Sequence, residues 1–362
     1  MRTAIVHYWL LNHRGGEKVV ETLCRLIPDA DIFTLFYDPS RVSPVIRSHR
    51  VTASFLNPWR RWYRHMLPLM PLGLESFDLR DYDLVISSES GPAKGVLTSS
   101  SARHVCYCHT PMRYLWDLYP DYVNEWSGGP IRRWIFASFA HYLRQWDYST
   151  ASRVDEFIAN SQNVRGRIWR AYQRESSVIY PPVAVESFYS KPSEDYDLIV
   201  SELVAYKRID SAVRVYSSNG RKLKIVGQGP EYRKLRTLSA ANVEFCDRVS
   251  DKQLRELYAR CRAFIMPGEE DFGMTAVEAL ASGKPIVALA RGGALETVPA
   301  GGGVLYNEPG DACLESAIRT LERMEVLPRE LQKHAAKFSE KEFVERIKPM
   351  IAWPSIGNRH RI

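Results

Sequence analysis

Two glutamates, Glu270 and Glu278, stand with seven residues between them in the stretch running from Met266 to Pro285. Pro267 and Gly268 break the apolar run that ends at Met266. Met274 to Ser282 then has helical spacing, with Val277, Leu280 and Ala281 on one side. Gly283 sits where such a helix would stop, and Pro285 opens the next apolar run, Ile286 to Leu289. The spacing predicts strand, loop, short helix, stop. Glu270 falls in the loop and Glu278 within the helix, while Phe272, Gly273 and Met274 supply the backbone amides that open it. Free amides together with the helix dipole attract an anion. Carboxylates accept hydrogen bonds from hydroxyls. A single element therefore carries donors for a phosphate and acceptors for a sugar, the pairing a nucleotide sugar requires. Two carboxylates on a solvated loop and helix face would show the same spacing, so the reading depends on what else reaches this place.

Several other groups follow predicted strands. Lys207 and Arg208 come shortly after the apolar run Leu198 to Ser201, Gly227-Gln228-Gly229 ends the run Leu223 to Val226, and Arg248 and Val249 follow Val243 to Cys246. In open α/β sheets ligands bind at the carboxyl ends of strands, so these groups converge on the edge that carries Glu270 and Glu278. Cations there suit a diphosphate; a solvated Lys-Arg pair is the plainer alternative. In the first half Gly15 and Gly16 lie between a strand and a helix, where they let a ligand approach the backbone or simply form a tight turn. They do not form G-x-G-x-x-G, and no acidic residue follows a second strand at the dinucleotide spacing, which argues against an NAD site. His109 ends the run Val105 to Cys108 at the same kind of edge. It is either a functional group or a structural histidine.

The elements that must position these residues alternate. Strands are predicted at Ala4 to Tyr8, Asp31 to Phe36, Asp83 to Ser87, His104 to Cys108 and Asp155 to Asn160, with helices at Gly16 to Ile27 and about 131 to 148. After a proline-bearing linker at about 181–196 a second series begins, ending in an amphipathic helix, Glu340 to Trp353. Strands alternating with helices imply parallel sheets. The expected division is an N-terminal Rossmann-like domain at 1–182, a second at 196–338, the final helix at 339–353 and a basic tail at 354–362.

The chain has 362 residues, long enough for two ordinary domains. It lacks an apolar run long enough to span a bilayer, and its amino terminus has no signal-peptide apolar segment, so a cytoplasmic location is expected. Six scattered cysteines, only Cys106 and Cys108 close together, suit buried reduced thiols better than zinc. The net charge of +7 is concentrated: from Pro39 to Leu74 there are six arginines, from Arg41 to Arg64, and no Asp or Glu. They are mixed with Trp59, Trp62, Tyr63, Met66, Leu67, Leu69, Met70 and Leu72. That composition fits docking on anionic lipid, and equally a solvated loop followed by a core helix. It fits nucleic acid less well, and no nucleic-acid partner is expected.

Taken together, Gly15-Gly16, His109, the segments 202–210 and 226–232, and Glu270 and Glu278 followed by Ala-Ser-Gly-Lys-Pro resemble a retaining glycosyltransferase of family 4. The segments 6–10 and 106–117 resemble the mannosyltransferase branch that builds O-antigen and exopolysaccharide. The resemblance implies a GT-B fold, two Rossmann-like α/β domains with parallel sheets facing across a cleft, and a final helix returning to the first domain. It implies a metal-independent reaction, with no cofactor beyond a nucleotide-sugar donor, GDP-mannose or else a UDP-sugar. It also implies a polyprenyl-diphosphate-linked oligosaccharide acceptor at the inner face of the cytoplasmic membrane.

By the same resemblance Glu278 would hold the ribose and Glu270 the donor sugar. Phe272, Gly273 and Met274 would offer amides, Lys207 would neutralise the diphosphate and Gly16 would approach the donor phosphate or the acceptor. His109 would contact the transferred sugar, and Arg248 and Val249 would border the base. One departure stands out: where the family commonly has an arginine five positions before this lysine, the chain has Glu202. Either Arg208 or another cation substitutes, or the phosphate site is weakened, or the chain is a non-catalytic partner of an active transferase.

Overall fold

The computed structural model describes residues 1–125, 129–246 and 249–352. Within them the chain divides into two compact units: Met1–Tyr180 with the segment from Val344 onward, and Pro181–Phe343.

The first unit runs β1 (Thr3–His7), α1 (Gly15–Leu26), β2 (Asp31–Thr34), α2 (Pro44–Ser48), β3 (Val51–Ala53), α3 (Met70–Glu75), β4 (Leu84–Glu89) and β5 (Arg103–Cys108). It continues with α4 (Tyr119–Glu125), α5 (Pro130–Thr150), β6 (Glu156–Ala159), α6 (Gln162–Tyr172) and β7 (Ser176–Val178). The sheet order is β3-β2-β1-β4-β5-β6-β7, and every pairing is parallel. A parallel sheet covered on both faces needs strands that are apolar throughout rather than alternating. All five residues of β1 are buried accordingly. Chain order reverses between β1 and β4, so their carboxyl ends flank the natural ligand crevice of this sheet.

The second unit repeats the scheme. β8 (Asp197–Val200), α7 (Ile209–Asn219), β9 (Leu223–Val226), α8 (Tyr232–Leu238), β10 (Val243–Cys246), α9 (Asp251–Arg260) and β11 (Phe264–Met266) are followed by α10 (Met274–Ala281). Then come β12 (Ile286–Leu289), α11 (Ala294–Thr297), β13 (Gly303–Tyr306), α12 (Asp311–Leu321) and α13 (Pro328–Ala335). The order β10-β9-β8-β11-β12-β13 is again all parallel, with its reversal between β8 and β11. Its core joins Ile199, Ile225, Ile265 and Val287 of the strands to Val213, Tyr216, Leu314 and Ile318 of α7 and α12. Each such aliphatic side chain contributes about 1.5–3 kcal/mol on burial.

The linker and the arginine-rich stretch differ from expectation. The stretch 181–196 is not free chain: Val183 N–H donates to Phe338 O, Lys191 N–H to Ala259 O and Glu194 N–H to Arg260 O, binding it into the second unit. The last helix, α14 (Glu340–Ile351), belongs to the first unit from Val344 onward. The segment 354–362 lies outside the described residues. No cysteine is disulfide-bonded among the described residues, and Cys246 and Cys313 are only half-buried. The Arg41–Arg64 stretch is neither a plain loop nor one core helix. Asn57–Leu69 is a series of 3-10 turns broken at Trp59 and Trp62. Met70 is core, Tyr63, Met66 and Leu67 pack against the core, and Trp59, Trp62, Leu69 and Leu72 are exposed. Arg60, Arg61 and Arg64 are exposed beside them.

Candidate active site

In the second unit the expected residues collect on the carboxyl edge of the sheet. Lys207 follows β8 and Glu270 follows β11, the two strands that flank the reversal. Lys207 Nζ lies 2.7 Å from Glu270 Oε1, with both side chains mostly withdrawn from solvent. Burial works against the Lys207 ammonium, but Glu270 foremost, with Tyr206, a hydrogen bond and Glu202 contributing, holds its pKa above the ordinary lysine value. Lys207, Glu270, Ser201, Gly268 and Thr275 line a cleft of only about 10 Å³. Glu202, the departure noted in the sequence, is thus close enough to act on Lys207. Arg208 acts instead on Tyr306 and Asp311. Its backbone is left-handed at φ 52° where it caps α7, a conformation costly for a residue with a side chain.

The loop carrying Glu270 is held by backbone. Gly293 N–H donates to Glu270 O at 2.8 Å. A Cβ on Gly293 would lie 2.2 Å from Phe272 O, and one on Gly268 would lie 2.5 Å from Lys207 Cα. Phe272 is a core residue, its ring packed against Phe338 at 5.5 Å and so withdrawn from any ligand. Gly273, at φ 88°, turns the chain into α10, and Met274 begins that helix half-buried. Glu278, one turn further, is 5% exposed and accepts from Tyr258 Oη at 3.0 Å. Gly227 has φ 150°, and a Cβ there would meet Ser201 O at 1.8 Å. Its lack of a side chain therefore serves the packing of the loop after β9 on the loop after β8. Val249, half-buried, follows β10 at the far edge of the sheet. Arg248 lies outside the described residues.

In the first unit Gly15, Gly16 and His109 meet at the carboxyl ends of β1, β4 and β5. Ser88 Oγ lies 3.0 Å from His7 Nδ1 and 2.9 Å from His109 Nε2, linking the two rings. A Cβ on Gly16 would lie 3.1 Å from Tyr8 Oη, 3.5 Å from His7 Cε1 and 3.7 Å from His109 Nε2, so that glycine opens α1 directly onto the histidines. Gly15 is the first residue of the helix. Burial pushes His109 down to about 4, and His7, with His109 adding to the effect, to about 3. Both rings are neutral near pH 7 and act there as hydrogen-bonding groups rather than cations. Among the described residues His7 Nε2 is buried with no hydrogen-bond partner, at the place Gly16 leaves open.

Behind this cluster Glu89, the last residue of β4, accepts from Lys94 N–H at 2.9 Å, and its carbonyl accepts from His109 N–H at 2.7 Å. The Lys94 ammonium, fully buried, bonds Asp147 of α5, which also accepts from Trp116 Nε1 and Tyr172 Oη. His7, Ser88, Glu89, Lys94, Asp147, Tyr258, Gly292 and Gly293 were not singled out from sequence. Of these only the Gly292-Gly293 pair after β12 carried a readable signal, the same one as Gly15-Gly16.

No group of three or more His, Cys, Asp or Glu side chains able to hold a metal occurs among the described residues. Three Asp-x-Asp triplets exist, Asp29-Ala30-Asp31, Asp81-Tyr82-Asp83 and Asp195-Tyr196-Asp197. Each abuts the amino end of a strand, β2, β4 and β8 respectively, opposite the candidate edge.

Comparisons agree with this division. A family model described as Glycosyltransferase Family 4 matches residues 13–187, and one described as Glycosyl transferases group 1 matches residues 186–341. An uncharacterised glycosyltransferase of Methanocaldococcus jannaschii is 28% identical over 202 residues, covering 54% of this chain and 57% of its own. The O-antigen chain mannosyltransferase of Salmonella typhimurium is 26% identical over 188 residues, 48% of this chain and 53% of its own. The matches therefore span little more than half the length of these curated relatives. Among solved structures, HepE of Anabaena in complex with UDP and glucose superposes with a TM-score of 0.70 at 16% identity, covering 97% of this chain and 99% of its own.

Proposed function

The chain belongs to glycosyltransferase family 4, with two Rossmann-like units in the GT-B manner, and on that premise we propose that it transfers mannose from GDP-mannose, with retention and without a metal. The observation that carries the reading is the Lys207–Glu270 pair at the strand-order reversal, beside the amides that open α10. A donor diphosphate takes the Lys207 ammonium and the α10 amides. This releases the Glu270 carboxylate to accept from sugar hydroxyls. Glu278, steadied by Tyr258, takes the ribose. As the bond between the anomeric carbon and the phosphate oxygen breaks, the new bond to the acceptor oxygen forms on the same face. The acceptor proton passes to the departing phosphate. Within the first unit, Gly16 offers close backbone approach and the neutral His109 a hydrogen-bonding ring to a ligand. Mannose rests on the resemblance at residues 6–10 and 106–117 and on the Salmonella relative.

The acceptor is a polyprenyl-diphosphate-linked oligosaccharide, met at the inner face of the cytoplasmic membrane. No helix among the described residues is long and apolar enough to cross a membrane. Docking is assigned to exposed Trp59 and Trp62 with Arg60, Arg61 and Arg64, a mixture that partitions to anionic headgroups.

The test is calorimetry and transfer with GDP-mannose, GDP, UDP-glucose and UDP, with and without EDTA. Turnover of GDP-mannose, insensitive to EDTA and yielding a product of retained anomeric configuration, is expected. Turnover of UDP-glucose alone would reassign the donor. Absence of binding to either nucleotide would make the chain a non-catalytic partner, the outcome Glu202 would then explain.

A further inference from the structure

A cavity of the second unit lies at the opposite edge of its sheet from Lys207 and Glu270. It has a volume of about 790 Å³, the size of a small-molecule site. Asp197, Arg262 and Pro285, at or next to the amino ends of β8, β11 and β12, form its floor. Apolar walls come from α12 and the chain beyond it, including Leu321 and Met324. Gly283 keeps the cavity's inner corner narrow: a Cβ there would lie 2.8 Å from Pro328 Cβ.

One cation in this lining is uncompensated. Lys284 is 3% exposed, and its ammonium donates to Lys191 O and Ser193 Oγ, both at 2.9 Å. No carboxylate lies within ion-pair distance of it among the described residues, and its third N–H has no acceptor there. The acids nearby are already engaged. Asp197 takes both Arg262 Nε and Nη2, at 3.0 and 2.6 Å, and Glu322 takes Arg221. Lys191 is itself paired with Glu256. Burial draws the Lys284 pKa below the ordinary lysine value, as expected for a charge with neutral partners only. A buried ammonium with a spare donor, in a roomy cavity with apolar walls, is the complement of an anion that carries an apolar body.

We propose that this cavity is a second ligand site, which binds a small organic oxyanion (a carboxylate or phosphate monoester with a short apolar chain) through Lys284. The site is separate from the donor edge. Lys284 follows the last residue of α10 by three positions, so the ligand would bear on the carboxyl end of the helix whose amino end carries Gly273 and Met274.

Calorimetry on the full chain with hexanoate, hexyl phosphate, hexanol and inorganic phosphate tests this. One or both hexyl anions should bind saturably, their ratio identifying the head group. Hexanol and inorganic phosphate should bind about tenfold more weakly or not at all, since each lacks one half of the complement. Lys284→Met should reduce affinity for the anion about tenfold or more. Met324→Trp, which fills the cavity and leaves the lysine in place, should do the same. Both variants should retain nucleoside diphosphate binding, which reports that the unit is folded, and excess nucleoside diphosphate should not displace the anion. Failure of both anions to bind the parent chain would overturn the proposal. So would equal binding by hexanol, undiminished binding by Lys284→Met, or complete displacement by nucleoside diphosphate.

Discussion

Replacing Lys207 by Met and Glu270 by Gln should move nucleoside diphosphate affinity in opposite directions. In the unliganded chain the two side chains are each other's partners at 2.7 Å. A diphosphate must therefore displace the carboxylate before it gains the ammonium. A charge-assisted hydrogen bond contributes about 1.5–3 kcal/mol. A partly exposed ion pair such as this one is worth about 1 kcal/mol or less. The net contribution of Lys207 to diphosphate binding is then about 1–2 kcal/mol, so Lys207→Met should weaken GDP or UDP by about 5–30-fold. Glu270→Gln removes the competitor and should tighten the same nucleotide by about 3–5-fold. With a complete nucleotide sugar the sign for Glu270→Gln reverses, because the carboxylate then loses its sugar hydroxyls, and turnover falls. Titration calorimetry with the bare diphosphate and with the sugar donor separates the two. If Glu270→Gln weakens the bare diphosphate in parallel with Lys207→Met, the pair serves only to hold the loops together and the displacement argument fails.

Three further outcomes follow from the geometry. Tyr258→Phe removes the hydroxyl that Glu278 accepts from and should cost about 1 kcal/mol of stability, read by urea denaturation, with a larger loss in nucleotide affinity than in folding if Glu278 holds the ribose. Lys94→Met leaves Asp147 buried without its cation and should destabilise the first unit by about 3–5 kcal/mol, read the same way. His7, His104 and His109 have pKa values lowered by burial to about 3, 4 and 4. Their unfolded values lie near 6.5, so the unfolded chain binds more protons below that pH. Stability should be fully present above pH 6.5 and fall toward pH 4, by at most about 1.4 kcal/mol per pH unit for each histidine. Burial raises Glu89 to about 8, which gives the opposite sign: its contribution is present at low pH and lost as pH rises through 8. Urea midpoints across pH 4–9 should therefore decline on both sides, and His104→Gln should flatten the acid limb.

Much of the second unit could be read from the chain because its signals are local. The runs Leu223–Val226, Val243–Cys246 and Ile286–Leu289 are bounded by turn residues, and their strands begin and end where expected. Gly273 and Gly283 bracket α10 for steric reasons that one residue can state. The partners of the site were not legible because they are made by the sheet. Ser88 meets His109 through the pairing of β4 with β5, across 21 positions of sequence. Tyr258 reaches Glu278 only once α9 and α10 lie side by side. Val51–Ala53 and Ser176–Val178 are three-residue edge strands, too short for periodicity to register. Gly227 was legible as a residue that follows a strand at this edge, but the Ser201 backbone that presses on it was not.

The close glycine contacts bear on how this protein could acquire a new donor. Gly227 sits on Ser201, Gly229 on Leu203, Gly268 on Lys207 and Gly293 on Phe272, main chain against main chain. The four loops are thus interlocked, and none can lengthen or turn without its neighbours. A new specificity is accessible by changing side chains on this rim, one substitution at a time. Transplanting a single loop from a homologue should misfold the edge, whereas 201–208, 227–229, 267–273 and 291–293 moved together form one exchangeable cassette.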